Sequence, residues 1–194
     1  MMADSNVIPL FPLHTVLFPG GPLPLRIFET RYTDMVSRCM REQTPFGVLL
    51  IEEGEEAGDV ASTVSVGCTA RIADFNTLPD GLLGISCIGE RKFHVQRVWR
   101  AADGLNLGEV TWLSDEPSLV VPAEFARLTS TLRRALVELD EHYRFVERKF
   151  DDAAWVGSRL AELLPIHPND KQSLLEIEDP IRRLEALIAA IPGD

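Results

Sequence analysis

Four histidines, His14, His94, His142 and His167, three cysteines, Cys39, Cys68 and Cys87, and five carboxylates within residues 52–59 are the side chains with which this sequence could do chemistry. Imidazoles and thiolates bind transition metals most readily when they recur a few residues apart, because a short segment then brings two ligands to one ion. Here the histidines stand far apart and no C-x-x-C pair exists, so no local metal-ligand spacing is present. The cysteines, odd in number and widely spaced in apolar surroundings, read as small core residues of a protein from a reducing compartment. The acidic run, Glu52, Glu53, Glu55, Glu56 and Asp59 around two glycines, lacks the D-x-[DN]-x-[DN]-G order of a calcium loop and has no rigid flank to hold an acid/base pair. A solvated loop is expected there.

The commoner catalytic signatures are also missing. Without a Gly-Lys dipeptide there is no Walker A loop to cradle phosphates, and no G-x-G-x-x-G turn, G-x-S-x-G elbow or H-E-x-x-H helix occurs. Arg91, Lys92, Arg97 and Arg100, interleaved with Phe93, Val95 and Trp99, superficially suit phosphate contact with base stacking. Strand alternation favours another reading, in which Phe93, Val95 and Trp99 point inward and Lys92, His94 and Gln96 face water. Thirty acidic against nineteen basic side chains leave a net charge of -11, which repels phosphate backbones at long range and disfavours nucleic acid as a partner.

With 194 residues, 45% of them hydrophobic, the chain suits one medium domain with an appendage, or two small ones. Val7 to Leu13 is an apolar run whose prolines predict an edge strand or extended segment. After the turn at Phe18-Pro19-Gly20-Gly21-Pro22, a second extended path leads into residues 29–42. There Phe28, Tyr32, Met35, Val36, Cys39 and Met40 recur at the three- and four-residue intervals of an amphipathic helix. Residues 46–51 suit a buried strand. Four further strand-like segments, 65–75, 82–89, 91–99 and 105–112, are separated by Leu78-Pro79-Asp80-Gly81, by Gly89-Glu90 and by Ala102-Asp103-Gly104. Closely spaced strands of this kind favour antiparallel pairing in a barrel or sandwich.

Near Asp115-Glu116-Pro117 the strand signals give way to helical periodicity, which places a domain boundary there, with residues 1–117 before it and 118–194 after it. Phe125, Leu128, Leu132, Leu136, Leu139 and Tyr143 form one helical face, and Val156, Leu160, Leu163 and Leu164 a second that ends at Pro165. Pro168 starts a third helix before Leu174, Leu175 and Ile177. Asp179 and Pro180 cap a fourth that carries Leu184, Leu187, Ile188 and Ile191. No run of eighteen apolar residues and no signal peptide at residues 1–6 appears, so no membrane is expected and the cytoplasm is the expected location.

Ile8-Pro9-Leu10-Phe11-Pro12-Leu13, Val16-Leu17-Phe18-Pro19-Gly20-Gly21, Leu23-Pro24-Leu25-Arg26-Ile27-Phe28-Glu29 and Arg31-Tyr32, followed by Met35, give the chain a family likeness. It continues through Phe46-Gly47-Val48, Val66-Gly67-Cys68-Thr69-Ala70-Arg71-Ile72, Gly89-Glu90-Arg91-Lys92-Phe93 and Leu163-Leu164-Pro165. On these segments, which cover nearly the whole chain, it resembles the Lon protease N-terminal domain family, a substrate-binding module also found as a stand-alone protein. The resemblance implies an α+β fold: a PUA-like β-barrel with one helix in its first half, followed by a small C-terminal α-helical bundle. It also implies recognition of exposed or unfolded polypeptide segments, as an adaptor or regulator beside a separate ATP-dependent protease. An RNA-binding PUA-like module is the alternative.

In Lon proteases the module precedes an ATPase and a Ser-Lys peptidase. This sequence has no Walker motif and no room for either, so a non-catalytic protein without cofactor is expected. Cereblon-type relatives add a zinc-held domain whose paired C-x-x-C motifs are also missing, and no metal is expected. The most family-specific block supplies the candidate binding residues: Leu10, Phe11, Leu13, Leu25, Arg26, Phe28, Glu29, Arg31 and Tyr32.

Overall fold

The apolar run that opens the sequence forms β1 (Val7–Leu13), and the computed structural model, which describes residues 6–56 and 60–190, gives it a neighbour on each side. In chain order there follow β2 (Pro22–Ile27), α1 (Thr30–Glu42), β3 (Phe46–Gly54), β4 (Val60–Thr63), β5 (Val66–Thr77), β6 (Leu83–Arg100) and β7 (Asn106–Trp112). β1 runs parallel to β3, with Leu10 beside Gly47, and antiparallel to β7, with Val7 beside Glu109. The prolines had predicted an edge. Their register explains the difference: Pro9 precedes the residues paired with β3 and Pro12 follows those paired with β7, so each lies where one neighbour is absent.

The hydrogen-bonded order β1-β7-β6-β5-β3 returns to β1, closing a circuit of five strands, while β2 joins β6 and β4 joins β3 outside it. β6 is one continuous strand, where the sequence had suggested two. Its first part pairs with β2, Leu83 to Ile88 against Ile27 to Pro22, and its second with β7. Gly89 sits at the changeover as a point of close backbone approach and not as a turn. Its carbonyl accepts from the Gly20 N–H at 2.7 Å, its N–H donates to the Gly21 carbonyl at 2.9 Å, and a Cβ there would stand 2.2 Å from the Phe18 carbonyl oxygen.

The acidic run also differs from expectation. β3 continues through Glu52 and Glu53 to Gly54 and pairs with β4, so the first carboxylates ride an exposed hairpin strand; Asp59 lies outside the described residues.

α1 buries Tyr32, Met35, Val36 and Cys39, as their spacing predicts. They pack on Phe11, Leu13, Ile27, Phe46, Cys68 and Cys87 from five strands. Phe28 and Met40, part of the same recurrence, are exposed. Gln43 ends the helix in the left-handed conformation, at φ 53°.

Beyond Trp112 the chain is helical: a short turn at Ala123–Phe125, then α2 (Ala126–Glu138), α3 (Ala153–Leu163), α4 (Pro168–Glu176) and α5 (Pro180–Ala190). Side chains cap three of the four helices. The Asp152 carboxylate accepts from Trp155 N–H at 2.9 Å for α3, His167 Nδ1 from Asn169 N–H at 3.2 Å for α4, and the Asp179 carboxylate from Ile181 N–H at 2.8 Å for α5. Leu128, Leu132 and Leu136 are buried, whereas Leu139 lies past the end of α2 and is exposed, and Tyr143 reaches the core from the following turn. Ile188 is exposed and Ile191 lies outside the described residues. One apolar cluster joins Phe18, Leu50 and Ile88 of the first part to Leu132, Val156, Leu175 and Leu184 of the helices.

Lys92, expected to face water, is buried. Its Nζ donates to Glu116 Oε1 at 2.7 Å and to the Leu175 carbonyl at 3.1 Å. The helices cover the face that strand alternation assigns to solvent, and Glu116 supplies the charge that makes the burial tolerable.

Candidate functional site

The nine residues of the family-specific block come together only in part. Leu10 packs with Leu49, Phe93 and Val110, while Phe11, Leu13 and Tyr32 belong to the cluster under α1, with the Phe11 and Tyr32 rings 3.9 Å apart. Leu25 is half-buried against the same cluster. Arg31 lies over the Tyr32 ring at 4.8 Å. It donates to the Gly104 carbonyl at 3.1 Å and pairs with Glu29 at 2.9 Å, tying the start of α1 to the turn before β7. Burial pushes the Tyr32 hydroxyl above its ordinary range, with the Arg31 charge opposing. Arg26, paired with Asp80, and Phe28, 61% exposed, present most of their surface to solvent.

A groove lies elsewhere, between the C-terminal half of α1 and the strands. It consists of a cleft of about 500 Å³ and a second of about 330 Å³, which share Cys39 and Thr44. Ile8 and Pro9 of β1, Leu107 of β7 and Trp112 give the larger cleft an apolar wall; Arg38, Glu42, Glu90 and Arg91 supply charge. Met40, Gln43, Ile72 and Phe75 line the smaller one with Arg71 and Asp74. β5 connects the parts, since Thr69 borders the larger cleft, residues 71–75 border the smaller, and Thr77 lies beside Leu83, itself paired with Ile27 next to Phe28. Phe75 of β5 and Phe28, the residue after β2, are both exposed, beside the two strands that flank β6. An apolar groove with a few placed polar groups is the ordinary form of a binding site.

Arg91 and Trp112 stack on one another at one wall of this groove. The guanidinium lies over the indole at 5.1 Å, and Trp112 in turn meets Phe93 edge to face at 6.5 Å. Thr69 Oγ1 accepts from the Arg91 N–H at 3.1 Å and donates to the Arg91 carbonyl at 3.3 Å, fixing the backbone from which the guanidinium projects. Glu90 is engaged by Arg71 at 2.8 Å. Cys39 is the one thiol bordering both clefts, and burial raises its pKa, with the Thr44 hydrogen bond and the Arg38 charge opposing only partly. At neutral pH it stays protonated and is a poor nucleophile. Among the described residues no group of three or more His, Cys, Asp or Glu is placed to hold a metal ion, and no helix is long and apolar enough to cross a membrane.

Sequence reasoning missed Arg38 and Trp112 as groove residues, and for Arg91 it expected a carboxylate or backbone carbonyl as partner where the structure sets the Trp112 ring. Residues 38, 69, 91 and 112 meet only through the sheet register, and the one visible hint was the alternation of basic and aromatic residues after Glu90.

Comparison with known proteins gives this geometry a context. The family model described as the ATP-dependent protease La (LON) substrate-binding domain matches residues 7–191. The chain is 25% identical over 199 residues to a Lon protease of Amoebophilus asiaticus, covering 98% of this chain and 24% of that protein. It is 26% identical over 200 residues to a Lon protease of Phenylobacterium zucineum, covering 97% of this chain and 24% of that protein. It therefore spans about a quarter of the length of these curated relatives. Among solved structures, a Lon N-terminal domain protein from Xanthomonas campestris is 41% identical with a TM-score of 0.79, covering 96% of this chain and 99% of that one. The N-terminal domain of the Mycobacterium avium complex Lon protease, 19% identical with a TM-score of 0.61 over 94% of this chain and 96% of that one, shares the fold. Because the family model spans nearly the whole chain, the chain belongs to the family of the ATP-dependent protease La (LON) substrate-binding domain.

Proposed function

We propose that this protein is a non-catalytic polypeptide-binding module that recognises exposed or unfolded segments in the cytoplasm and presents them, as adaptor or regulator, to a separate ATP-dependent protease. The observation that carries this reading is the extent of the substrate-binding family model, which reaches from β1 through the last helix. In this reading the closed five-strand circuit is a PUA-like β-barrel, residues 1–117 form that domain with α1, and residues 118–194 are the helical bundle docked on it.

The groove beside α1 supports the reading because it offers what an extended segment needs. Apolar area buried there contributes about 25 cal/mol per Å², from which the cost of ordering the segment is subtracted. Of the family-specific block, Arg26, Phe28 and Glu29 flank the bound segment, while Leu10, Phe11, Leu13, Leu25, Arg31 and Tyr32 hold β1, β2 and α1 in place beneath it.

The test is retention of casein, a natively unfolded chain, against native ovalbumin, a folded one, on the immobilised full chain. Selective retention without cleavage is expected. Retention of both alike, or of neither, removes the proposal, and a salt-sensitive complex with RNA in its place favours the nucleic-acid alternative.

A further inference from the structure

We infer that the larger cleft holds the free carboxylate at the C-terminal end of a polypeptide, with Arg91 and Arg38 as its cationic walls and the apolar surface of Ile8, Pro9 and Leu107 receiving the last side chain. The inference deepens the polypeptide-binding reading and rests on it. Its first support is charge. Among the described residues neither Arg38 nor Arg91 has an ion-pair partner, whereas Glu90 is neutralised by Arg71, leaving Glu42 as the one uncompensated carboxylate at the cleft. Two cations against one anion favour a single negative charge, on a chain whose overall charge is -11 and whose surface elsewhere repels anions.

The second support is preorganisation. Arg91 is a weakly hydrated, planar cation suited to two-point recognition of a carboxylate. It is held from below by Trp112 and at its backbone by the reciprocal Thr69 hydrogen bonds, so little side-chain freedom remains to be lost on binding. Its Nε and the Trp112 Nε1 are enclosed without hydrogen-bond partners, so the two side chains meet through the stacked faces of their planar groups. The main chain of an internal segment would bring only neutral carbonyls to this point. A chain end brings a full charge, and charge-assisted hydrogen bonds are about twice as strong as neutral ones.

The experiment measures, by fluorescence anisotropy on the full chain, the Kd of a labelled octapeptide ending in two leucines, as the free acid and as the C-terminal amide. The free acid is expected to bind about tenfold more tightly. Arg91→Gln is expected to bring the acid down to the affinity of the amide. Arg38→Gln, on the helix surface, is expected to weaken the acid several-fold and leave the amide unchanged; it decides the matter if the first variant unfolds. Equal binding of acid and amide, or a preference that survives both substitutions, overturns the inference. Unfolded casein is measured in parallel. If it is retained while acid and amide bind equally, the polypeptide-binding reading stands without this site, and if neither casein nor peptide binds, both fall.

Discussion

Arg183 of α5 grips Glu116, on the segment between β7 and the helices, with two parallel hydrogen bonds, Nη1 to Oε2 at 2.7 Å and Nη2 to Oε1 at 2.5 Å. The same carboxylate takes Lys92 from β6, and both cations are almost wholly enclosed. Arg183 also donates to the Leu174 and Ile177 carbonyls around the end of α4, so one carboxylate fastens a strand and two helices together.

Removing that charge leaves two buried cations unopposed. Glu116→Gln is expected to destabilise the fold by about 3–5 kcal/mol, read as a lowered urea midpoint at neutral pH. A loss below about 1 kcal/mol, the range of exposed ion pairs, would mean that water reaches the three charges.

The same group predicts a response to acid. Burial alone would raise the Glu116 carboxyl, but the hydrogen bonds and charges of Arg183 and Lys92 outweigh it and hold the carboxyl below the usual carboxylate range. A group depressed in the folded state contributes stability that is complete above its unfolded value, about 4.3, and is lost as pH falls through the folded one. Urea midpoints measured from pH 6 to pH 2 should fall for the wild type and fall less for Glu116→Gln; parallel curves would refute the linkage.

Gly89→Ala tests the changeover in β6. The added methyl meets a backbone oxygen, and the bonds to Gly20 and Gly21 keep both strands from parting. A loss of about 2–4 kcal/mol is expected, measured by thermal unfolding with the far-ultraviolet spectrum unchanged.

Gln43→Gly should act in the opposite direction. A side chain in the left-handed region costs roughly 1–2 kcal/mol, part of which returns as backbone entropy in the unfolded chain. A net gain of about 0.5 kcal/mol is expected in the urea midpoint, and a net loss would indicate that the Gln43 side chain makes compensating contacts in the smaller cleft.

The three thiols should be silent in the native protein. Burial raises all of them, Cys87 to about 12 and Cys68 further still, with Cys39 the least enclosed. At pH 8, Ellman's reagent is expected to titrate none of them until urea unfolds the chain, whereupon all three react; early reaction of Cys39 alone would show that the groove opens in solution.

What was legible in the sequence was local. The face of α1 could be read from Tyr32, Met35, Val36 and Cys39, and the start of α5 from Asp179 and Pro180, because helical period and capping chemistry act within a few residues. The continuity of β6 was hidden because Gly89-Glu90 has the composition of a turn, while its actual constraint is a backbone oxygen at Phe18, far away in sequence. Lys92 was misplaced for a related reason. Alternation gives the side of the sheet it points to, but not the helices that later cover that side. The block from Leu10 to Tyr32 stood out as a family signature because it builds the core around Phe11 and Tyr32, whereas the Arg91–Trp112 pair depends on strand register and carries no spacing signal of its own.

The strand circuit closes between its first and last members, β1 and β7, and this sets a timetable for the newborn chain. At a ribosomal pace of about 5–20 residues per second, the roughly one hundred residues between these partners keep β1 waiting about 5–20 s before β7 emerges. Throughout that interval the edge of β1 that β7 will cover, Val7 to Leu10, stays unpaired, so chaperone engagement during synthesis should peak just before Trp112 leaves the exit tunnel.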